Sequence, residues 1–268
     1  YKEYEALKHI LQKLKEAKRI VIVGAGFVGM EFADDLAQGR EIYVVEILGE
    51  ALPLAFDREF GELARRELEA KGVRFFLGTS VRRIIGNQKV EKVILENGVE
   101  IPADAVVISV GVAPNSELAR RAGVEVDKYG HIIVDEYMRT NIPDIYAVGD
   151  VAQKKSFHTN APIRAYFSTL AVIEGRIAAL HMFGERISLG LIEGALPVYS
   201  TIIGKLCLAV AGMTEEHAKR NGLDIIATKV KTINRHPGKL SGAQEIMLKA
   251  IYLRESLRLI GVQAAGPE

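Results

Sequence analysis

Residues Arg19–Gly29 spell RIVIVGAGFVG, in which a short β-branched run passes directly into three glycines. The run is typical of a strand that is buried on both faces. The glycines stand at Gly24, Gly26 and Gly29, and a helical pattern of apolar residues follows them as far as Gln38. A strand, a glycine-rich turn and a helix in this order predict the first unit of a doubly wound α/β domain.

Each glycine has a separate expected role. Gly24 permits the tight turn, Gly26 lets the backbone approach a pyrophosphate, and Gly29 lets the helix pack on the sheet. The helix N-terminus would offer free N–H groups to the phosphates. Glu46 ends the next apolar run, where a carboxylate would accept a hydrogen bond from the adenosine ribose and repel a 2′-phosphate. The pattern predicts NAD(H) binding, and the alternative is a glycine-rich turn in another kind of doubly wound domain.

The alternation of strands and helices continues beyond Glu46 and then changes. A helical pattern leads to a third expected strand at Val73–Leu77, so the first sheet is expected to be parallel. Asn97-Gly98 is a tight-turn pair between short strand-like runs. We therefore expect an antiparallel β-meander, inserted before a further core strand at Ala105–Val110.

A second motif lies in Thr140–Asp150, TNIPDIYAVGD. The apolar run Ile145–Val148 predicts a buried strand that delivers Gly149 and Asp150 to its C-terminal end, where open α/β sheets bind ligands. A carboxylate there can accept hydrogen bonds from a polyol. A turn with a helix cap explains the same residues equally well. A further strand is expected at Ile132–Val134.

These two motifs, with three others, resemble the FAD-dependent pyridine nucleotide-disulfide oxidoreductases. The sequence is most similar to the branch that holds NADH oxidases, NADH peroxidases and coenzyme A-disulfide reductases. The motifs that carry the resemblance are GAGFVGME, TNIPDIYAVGD, SVGVAPNSELA at Ser109–Ala119, GRIAALHMFG at Gly175–Gly184 and AGMTEEHAKRNG at Ala211–Gly222. Together they cover nearly the whole chain.

The resemblance implies an α/β fold of three parts. Residues 1–113 would form a Rossmann-like NAD(H)-binding domain with the inserted β-meander. Residues 114–185 would form the C-terminal half of a discontinuous FAD-binding domain. Residues 186–268, in which the sequence pattern turns to α+β material, would begin an incomplete interface domain of the dimerisation type.

The resemblance also implies the cofactor-binding residues, which are Gly24, Gly26, Gly29, Glu31, Glu46, Gly111, Gly149, Asp150 and Ala171. Glu31 matches a glutamate near the nicotinamide and flavin rings, and Gly111 falls in a loop beside the nicotinamide. Asp150, after Gly149, matches the aspartate at the ribityl–phosphate region of FAD. The helix that starts near Ala171 would point its positive end at the flavin pyrimidine. An apolar helix packed on a sheet is the alternative explanation of Ala171.

Two family features are missing from the sequence: a first GxGxxG for the FAD adenosine diphosphate, and the redox cysteine on the helix after it. We therefore expect only a partial FAD site, no catalytic residue of its own, and a chain that is part of something longer. The implied reaction is hydride transfer from NADH to FAD and on to oxygen or a disulfide such as that of coenzyme A, in a homodimer. The alternative is a free-standing NAD-binding regulatory module without redox turnover.

Composition excludes several other classes. The chain has 268 residues, of which 49% are hydrophobic, and a net charge of +1, which is not the balance of a dedicated nucleic-acid binder. A single cysteine excludes a disulfide framework and indicates a reducing, cytoplasmic location. No apolar run reaches the roughly 20 residues that span a bilayer, so no membrane segment is expected.

The remaining polar residues carry weaker signals. The six histidines have neither HxxxH nor HExxH spacing, so no zinc site is expected. The absence of GxSxG argues against a serine hydrolase. Cys207 lies in an apolar, strand-like stretch and is expected to pack as a small buried hydrophobe. The alternative is a reactive thiol activated by Lys205, two positions earlier on the same strand face. Lys154 and Lys155 are expected to lie on a solvated surface.

Overall fold

The glycine-rich turn follows an inner strand of a parallel sheet. The computed structural model describes residues 4–185, 194–236 and 238–267. Its first elements are α1 (Tyr4–Glu16), β1 (Arg19–Val23), α2 (Phe27–Leu36), β2 (Glu41–Glu46), α3 (Arg58–Ala70), β3 (Arg74–Leu77), β4 (Val81–Gly86), β5 (Val90–Leu95), β6 (Glu100–Pro102) and β7 (Ala105–Ile108). Four strands pair in the parallel order β3-β2-β1-β7, and β4, β5 and β6 form the predicted antiparallel meander.

The chain divides into two compact units, one of residues 1–111 with 198–268 and one of residues 112–197. We call them unit 1 and unit 2. The three domains expected from the sequence stay a prediction, and their boundary at residue 186 falls outside the described residues. Within the described ranges, no helix is both long and apolar enough to cross a membrane.

Unit 2 has little regular structure besides one long helix. Its elements are α4 (Glu117–Arg121), a 3₁₀ turn (Gly149–Val151), β8 (Lys154–Lys155), β9 (Pro162–Ile163) and α5 (Ser168–Met182).

Strands were predicted at Ile132–Val134 and Ile145–Val148 in unit 2, and both predictions are wrong. The structure, which describes both segments, has only isolated β-bridges there. A physical reason is visible for the second strand. Asp144 has a φ of 65° and Gly149 a φ of 75°, so the backbone turns away at both ends after four residues.

The last segment of unit 1 forms an antiparallel sheet. Its elements are β10 (Val198–Ile203), β11 (Leu206–Gly212), α6 (Glu215–Arg220), β12 (Ile225–Ile233), β13 (Glu245–Leu253) and β14 (Leu259–Pro267). The five strands pair in the order β10-β11-β14-β13-β12. Alternate residues such as Ile203, Leu208 and Met247 are buried in the same core as β1 and α2. The opposite, outer face leaves an apolar concavity of about 540 Å³.

Cys207 lies on that outer face and lines the concavity. It is half-buried rather than fully buried, so the prediction of a packed core cysteine is only partly right. Alternation along β11 explains the difference, because its neighbour Leu208 points to the core and is 1% exposed.

A charge cluster around the buried Lys249 joins the two segments of unit 1. It consists of Lys249 on β13, Asp57 and Glu59 at the start of α3, and Glu215 on α6, and we call it the Lys249 cluster. The Lys249 Nζ lies 2.8 Å from Asp57 Oδ2, 2.9 Å from Glu59 Oε1 and 2.7 Å from Glu215 Oε2. Burial alone would raise the pKa of Asp57, but hydrogen bonds from Lys249 and Gln263 outweigh burial and hold that pKa below its ordinary value.

Candidate functional site

The turn after β1 has the backbone conformation that its first glycine was expected to supply. Gly24 has a φ of 103°, and its N–H donates to the carbonyl oxygen of Val45 at 2.8 Å. A Cβ at Gly24 would lie 2.5 Å from the carbonyl oxygen of Ser109, which follows β7. Both the dihedral angle and the contact require glycine at this position.

The other two glycines differ sharply in the space around them. A Cβ at Gly29 would lie 1.9 Å from the carbonyl oxygen of Gly24, so α2 packs directly on the turn. A Cβ at Gly26 would meet nothing within 4 Å, and its φ of −73° suits any residue. Folding therefore does not require glycine at position 26. The open space there is what a bound pyrophosphate would need.

The N-terminus of α2 faces this space. Gly26 is its N-cap residue, and among the described residues no side-chain capping hydrogen bond is found there. The first turn of α2 contains no acidic residue. Free backbone N–H groups and the positive end of the helix dipole make such a terminus a binding site for phosphate.

Glu46 is at the end of β2, where it was predicted, and it also holds the turn. Its Oε2 accepts a hydrogen bond from the backbone N–H of Ala25 at 2.7 Å, and its Oε1 accepts one from Leu48 at 2.9 Å. The residue is 8% exposed. A carboxylate has about four acceptor positions, so capacity for ribose hydroxyls remains. The anchoring role was missed because a sequence does not show which backbone N–H groups lack partners.

Glu31 is exposed on α2 and contacts a strand that sequence analysis did not predict. Thr201 on β10 donates its hydroxyl to Glu31 Oε1 at 2.8 Å. Beside this pair, the rings of Phe27 and Tyr199 stack with their centroids 5.2 Å apart. The β-branched and aromatic residues of the β10 sequence, VYSTII, were the signal that could have revealed it. Gly111, predicted to lie beside the nicotinamide, is exposed in the loop after β7 and has a φ of 95°.

Unit 2 brings the remaining predicted residues onto one turn and one helix. Gly149 has a φ of 75°, and a Cβ there would contact the Cβ of Ala171, in the first turn of α5, at 3.6 Å. The Gly149 N–H donates to Glu174 Oε2 at 2.7 Å. Asp150, the next residue, is exposed. The turn is thus fixed against α5 while its carboxylate stays accessible.

The prediction that Lys154 lies on a solvated surface is wrong, because the residue is buried. It is 6% exposed and forms an ion pair with Glu174 at 3.0 Å, while Lys155 is exposed as expected. The Lys154 Nζ also donates to the carbonyl oxygens of Gly149 and Ala152. Burial raises the pKa of Glu174 above its ordinary value even beside Lys154. The pairing was invisible in the sequence because its partner lies 20 residues away on another element.

Comparison with known proteins agrees with this geometry. Residues 1–165 match the family model for pyridine nucleotide-disulphide oxidoreductases. The chain belongs to this family. Residues 198–268 match the model for the dimerisation domain of the pyridine nucleotide-disulphide oxidoreductases. The resemblance and the α/β fold class predicted from the sequence are thereby confirmed.

Individual members of the family cover almost the whole chain. An NADH oxidase from Methanocaldococcus jannaschii is 32% identical over 97% of this chain and 57% of its own length. An NAD(P)H sulfur oxidoreductase (CoA-dependent) from Pyrococcus abyssi is 33% identical over 98% of this chain and 58% of its own length. An NAD-dependent persulfide reductase structure from A. fulgidus superposes with a TM-score of 0.93 at 34% identity, over 99% of this chain and 49% of that one. The chain thus spans about half the length of these pyridine nucleotide-disulphide oxidoreductases.

Proposed function

We propose that unit 1 binds NADH as the hydride donor of a flavin-dependent oxidoreductase. The observation that carries this proposal is the open space over Gly26 at the N-terminus of α2, next to Ala25, whose N–H donates to the Glu46 carboxylate. The pyrophosphate would lie on the first N–H groups of α2, and Glu46 would accept hydrogen bonds from the adenosine ribose. The name of one relative, NADH oxidase, supports NADH as the dinucleotide.

Unit 2 contains the residues that we assign to FAD. Asp150 would accept hydrogen bonds from the hydroxyls of the ribityl–phosphate region, and the N-terminus of α5 near Ala171 would stabilise negative charge on the pyrimidine ring. Lys154 and Glu174 would hold Gly149 in place through its carbonyl oxygen and its N–H. When bound, a flavin supplies two-electron acceptance from NADH, and the protein sets the position and the electrostatics.

The electron acceptor that we propose is oxygen or a sulfur species such as a disulfide of coenzyme A. These are the acceptor classes that the relatives' names describe, as NADH oxidase and as CoA-dependent sulfur oxidoreductase. We also propose a homodimer, in which the outer face of the sheet at residues 198–267 forms the interface. The apolar concavity on that face and the match to a dimerisation domain support this assignment.

Nucleotide preference tests the assignment of Glu46. We expect the unmodified chain to bind NADH more tightly than NADPH by about 1–3 kcal/mol, because a carboxylate attracts the ribose hydroxyl and repels a phosphate. Glu46→Arg should narrow or invert this difference. Fluorescence titrations with both nucleotides measure it. The control is Glu41→Ala, which removes a carboxylate at the opposite end of β2 and should leave the preference unchanged. Tighter binding of NADPH by the unmodified chain would show that Glu46 does not select the nucleotide.

A further inference from the structure

The dinucleotide-binding helix α2 is attached along one face to the edge strand β10. Three residues of α2, spaced four and then three positions apart, lie on one side of the helix and face β10. The contacting pairs are Phe27 with Tyr199, Glu31 with Thr201, and Asp34 with the backbone N–H of Gly204. The last segment of the chain therefore contacts the helix on which we place the pyrophosphate.

Within this attachment, Glu31 differs from its neighbours. Its side chain is exposed, while Thr201 is 8% exposed. The Thr201 hydroxyl occupies only Oε1, and among the described residues no donor to Oε2 is found. One carboxylate oxygen is thus fixed by the protein, and the other can accept a hydrogen bond from a ligand.

The position of Glu31 suits the nicotinamide half of a dinucleotide, given the proposed function on which this inference rests. In an open α/β sheet the dinucleotide crosses the point where strand order reverses, which here lies between β1 and β7. With the adenosine at Glu46 on β2, the nicotinamide half lies toward β7. The helix turn that precedes Glu31 packs on the end of that strand, since a Cβ at Gly29 would lie 2.8 Å from the Ser109 Oγ.

We propose that Thr201 is a positioning residue that holds Glu31 ready to accept a hydrogen bond from the carboxamide N–H of the nicotinamide. An exposed glutamate loses rotamer freedom when it binds a ligand. The hydrogen bond from Thr201 imposes that order before the ligand arrives, and such preorganisation raises affinity. The net value of one hydrogen bond corresponds to about a 3- to 10-fold change in affinity.

The test compares NADH with ADP-ribose, which has the adenosine, the pyrophosphate and the second ribose but no nicotinamide. Dissociation constants are measured by calorimetry for the unmodified chain, Thr201→Val and Thr201→Ser. We expect Thr201→Val to bind NADH about 3- to 10-fold more weakly and ADP-ribose equally well. Thr201→Ser should restore NADH affinity because it keeps the hydroxyl. Thr228→Val makes the same chemical change at an exposed position on β12 and should change neither constant.

A double-mutant cycle shows whether Thr201 acts through Glu31. Glu31→Ala should weaken the binding of NADH and leave the binding of ADP-ribose unchanged. Adding Thr201→Val to Glu31→Ala should cause no further loss of NADH affinity. Glu31→Ala alone keeps the proposal testable if Thr201→Val does not fold. Equal losses for NADH and ADP-ribose, or no loss for either single variant, would overturn the role of Thr201. An unmodified chain that binds neither ligand would instead contradict the proposed function itself.

Discussion

Replacing Lys249 with methionine is expected to lower the free energy of unfolding by about 3–5 kcal/mol. Lys249 is 6% exposed, and its Nζ lies within 2.9 Å of oxygens from Asp57, Glu59 and Glu215. Methionine fills a similar volume but leaves these carboxylates without their shared cation. Removing one partner from a buried ion pair costs far more than removing an exposed pair, because the remaining charge, here Asp57 at 5% exposure, stays desolvated.

Urea unfolding followed by circular dichroism measures this effect. Lys231→Met is the control, since Lys231 and Glu245 pair across the same sheet with both side chains exposed, and such pairs contribute about 0–1 kcal/mol. A loss for Lys249→Met no larger than that of the control would mean that the Lys249 cluster does not hold the two segments together.

The pH dependence of the Lys249 cluster has a definite sign. The pKa values of Asp57, Glu59 and Glu215 lie below their ordinary values in the folded state. Their contribution is therefore present above the unfolded pKa values, about 4, and is lost as pH falls through the folded ones. In Lys249→Met the carboxylates repel each other, and protonation relieves this repulsion. The difference in stability between the two proteins should consequently narrow as pH falls from 7 to below about 4.

Gly26→Ala is expected to abolish most of the NADH affinity while leaving the fold intact. Apart from the chain neighbours, no atom of the described residues lies within 4 Å of the new methyl group, and the φ of −73° is compatible with alanine, so stability should change by less than about 1 kcal/mol. The same methyl group would occupy the space in which we place the pyrophosphate. Steric overlap of this kind costs about 1–3 kcal/mol, which is about a 10- to 100-fold loss of affinity.

Two other glycines complete the experiment. Gly175→Ala places a methyl group in open space inside α5, so it should raise stability by about 0.5–1 kcal/mol through helix propensity and leave NADH affinity unchanged. Gly29→Ala places one 1.9 Å from the Gly24 carbonyl oxygen, so it should destabilise the folded chain as well as weaken binding. If Gly26→Ala and Gly175→Ala bind NADH alike, the pyrophosphate does not lie at Gly26.

The first sheet could be predicted from the sequence because its signals are local. A β-branched run at Arg19–Val23, glycines at fixed spacing, and Glu46 at the end of a second apolar run all lie within 28 residues of each other. The same reasoning failed for Ile145–Val148, where an apolar run alone cannot show that the backbone turns at both ends. Strand formation depends on pairing partners, which a run does not contain.

The polar groups that organise the candidate sites were not predictable. Thr201 contacts Glu31 across 170 residues of sequence, and Lys249 contacts Glu59 across 190. Lys154 looks like any surface lysine until the fold brings it to Glu174. Such pairs depend on long-range contacts between elements, and no local pattern marks them. The family resemblance predicts the ligand-facing residues, while the residues that hold them became visible only in the structure.

We propose above that NADH binds at the turn between β1 and α2. Amide chemical shifts of the isotopically labelled chain, followed during an NADH titration, test it most directly. We predict saturable shifts at the backbone amides of Phe27, Val28 and Gly29, whose N–H groups would contact the pyrophosphate. Absence of saturable shifts at these amides, or shifts confined to residues 112–197, would contradict NADH binding at the turn between β1 and α2.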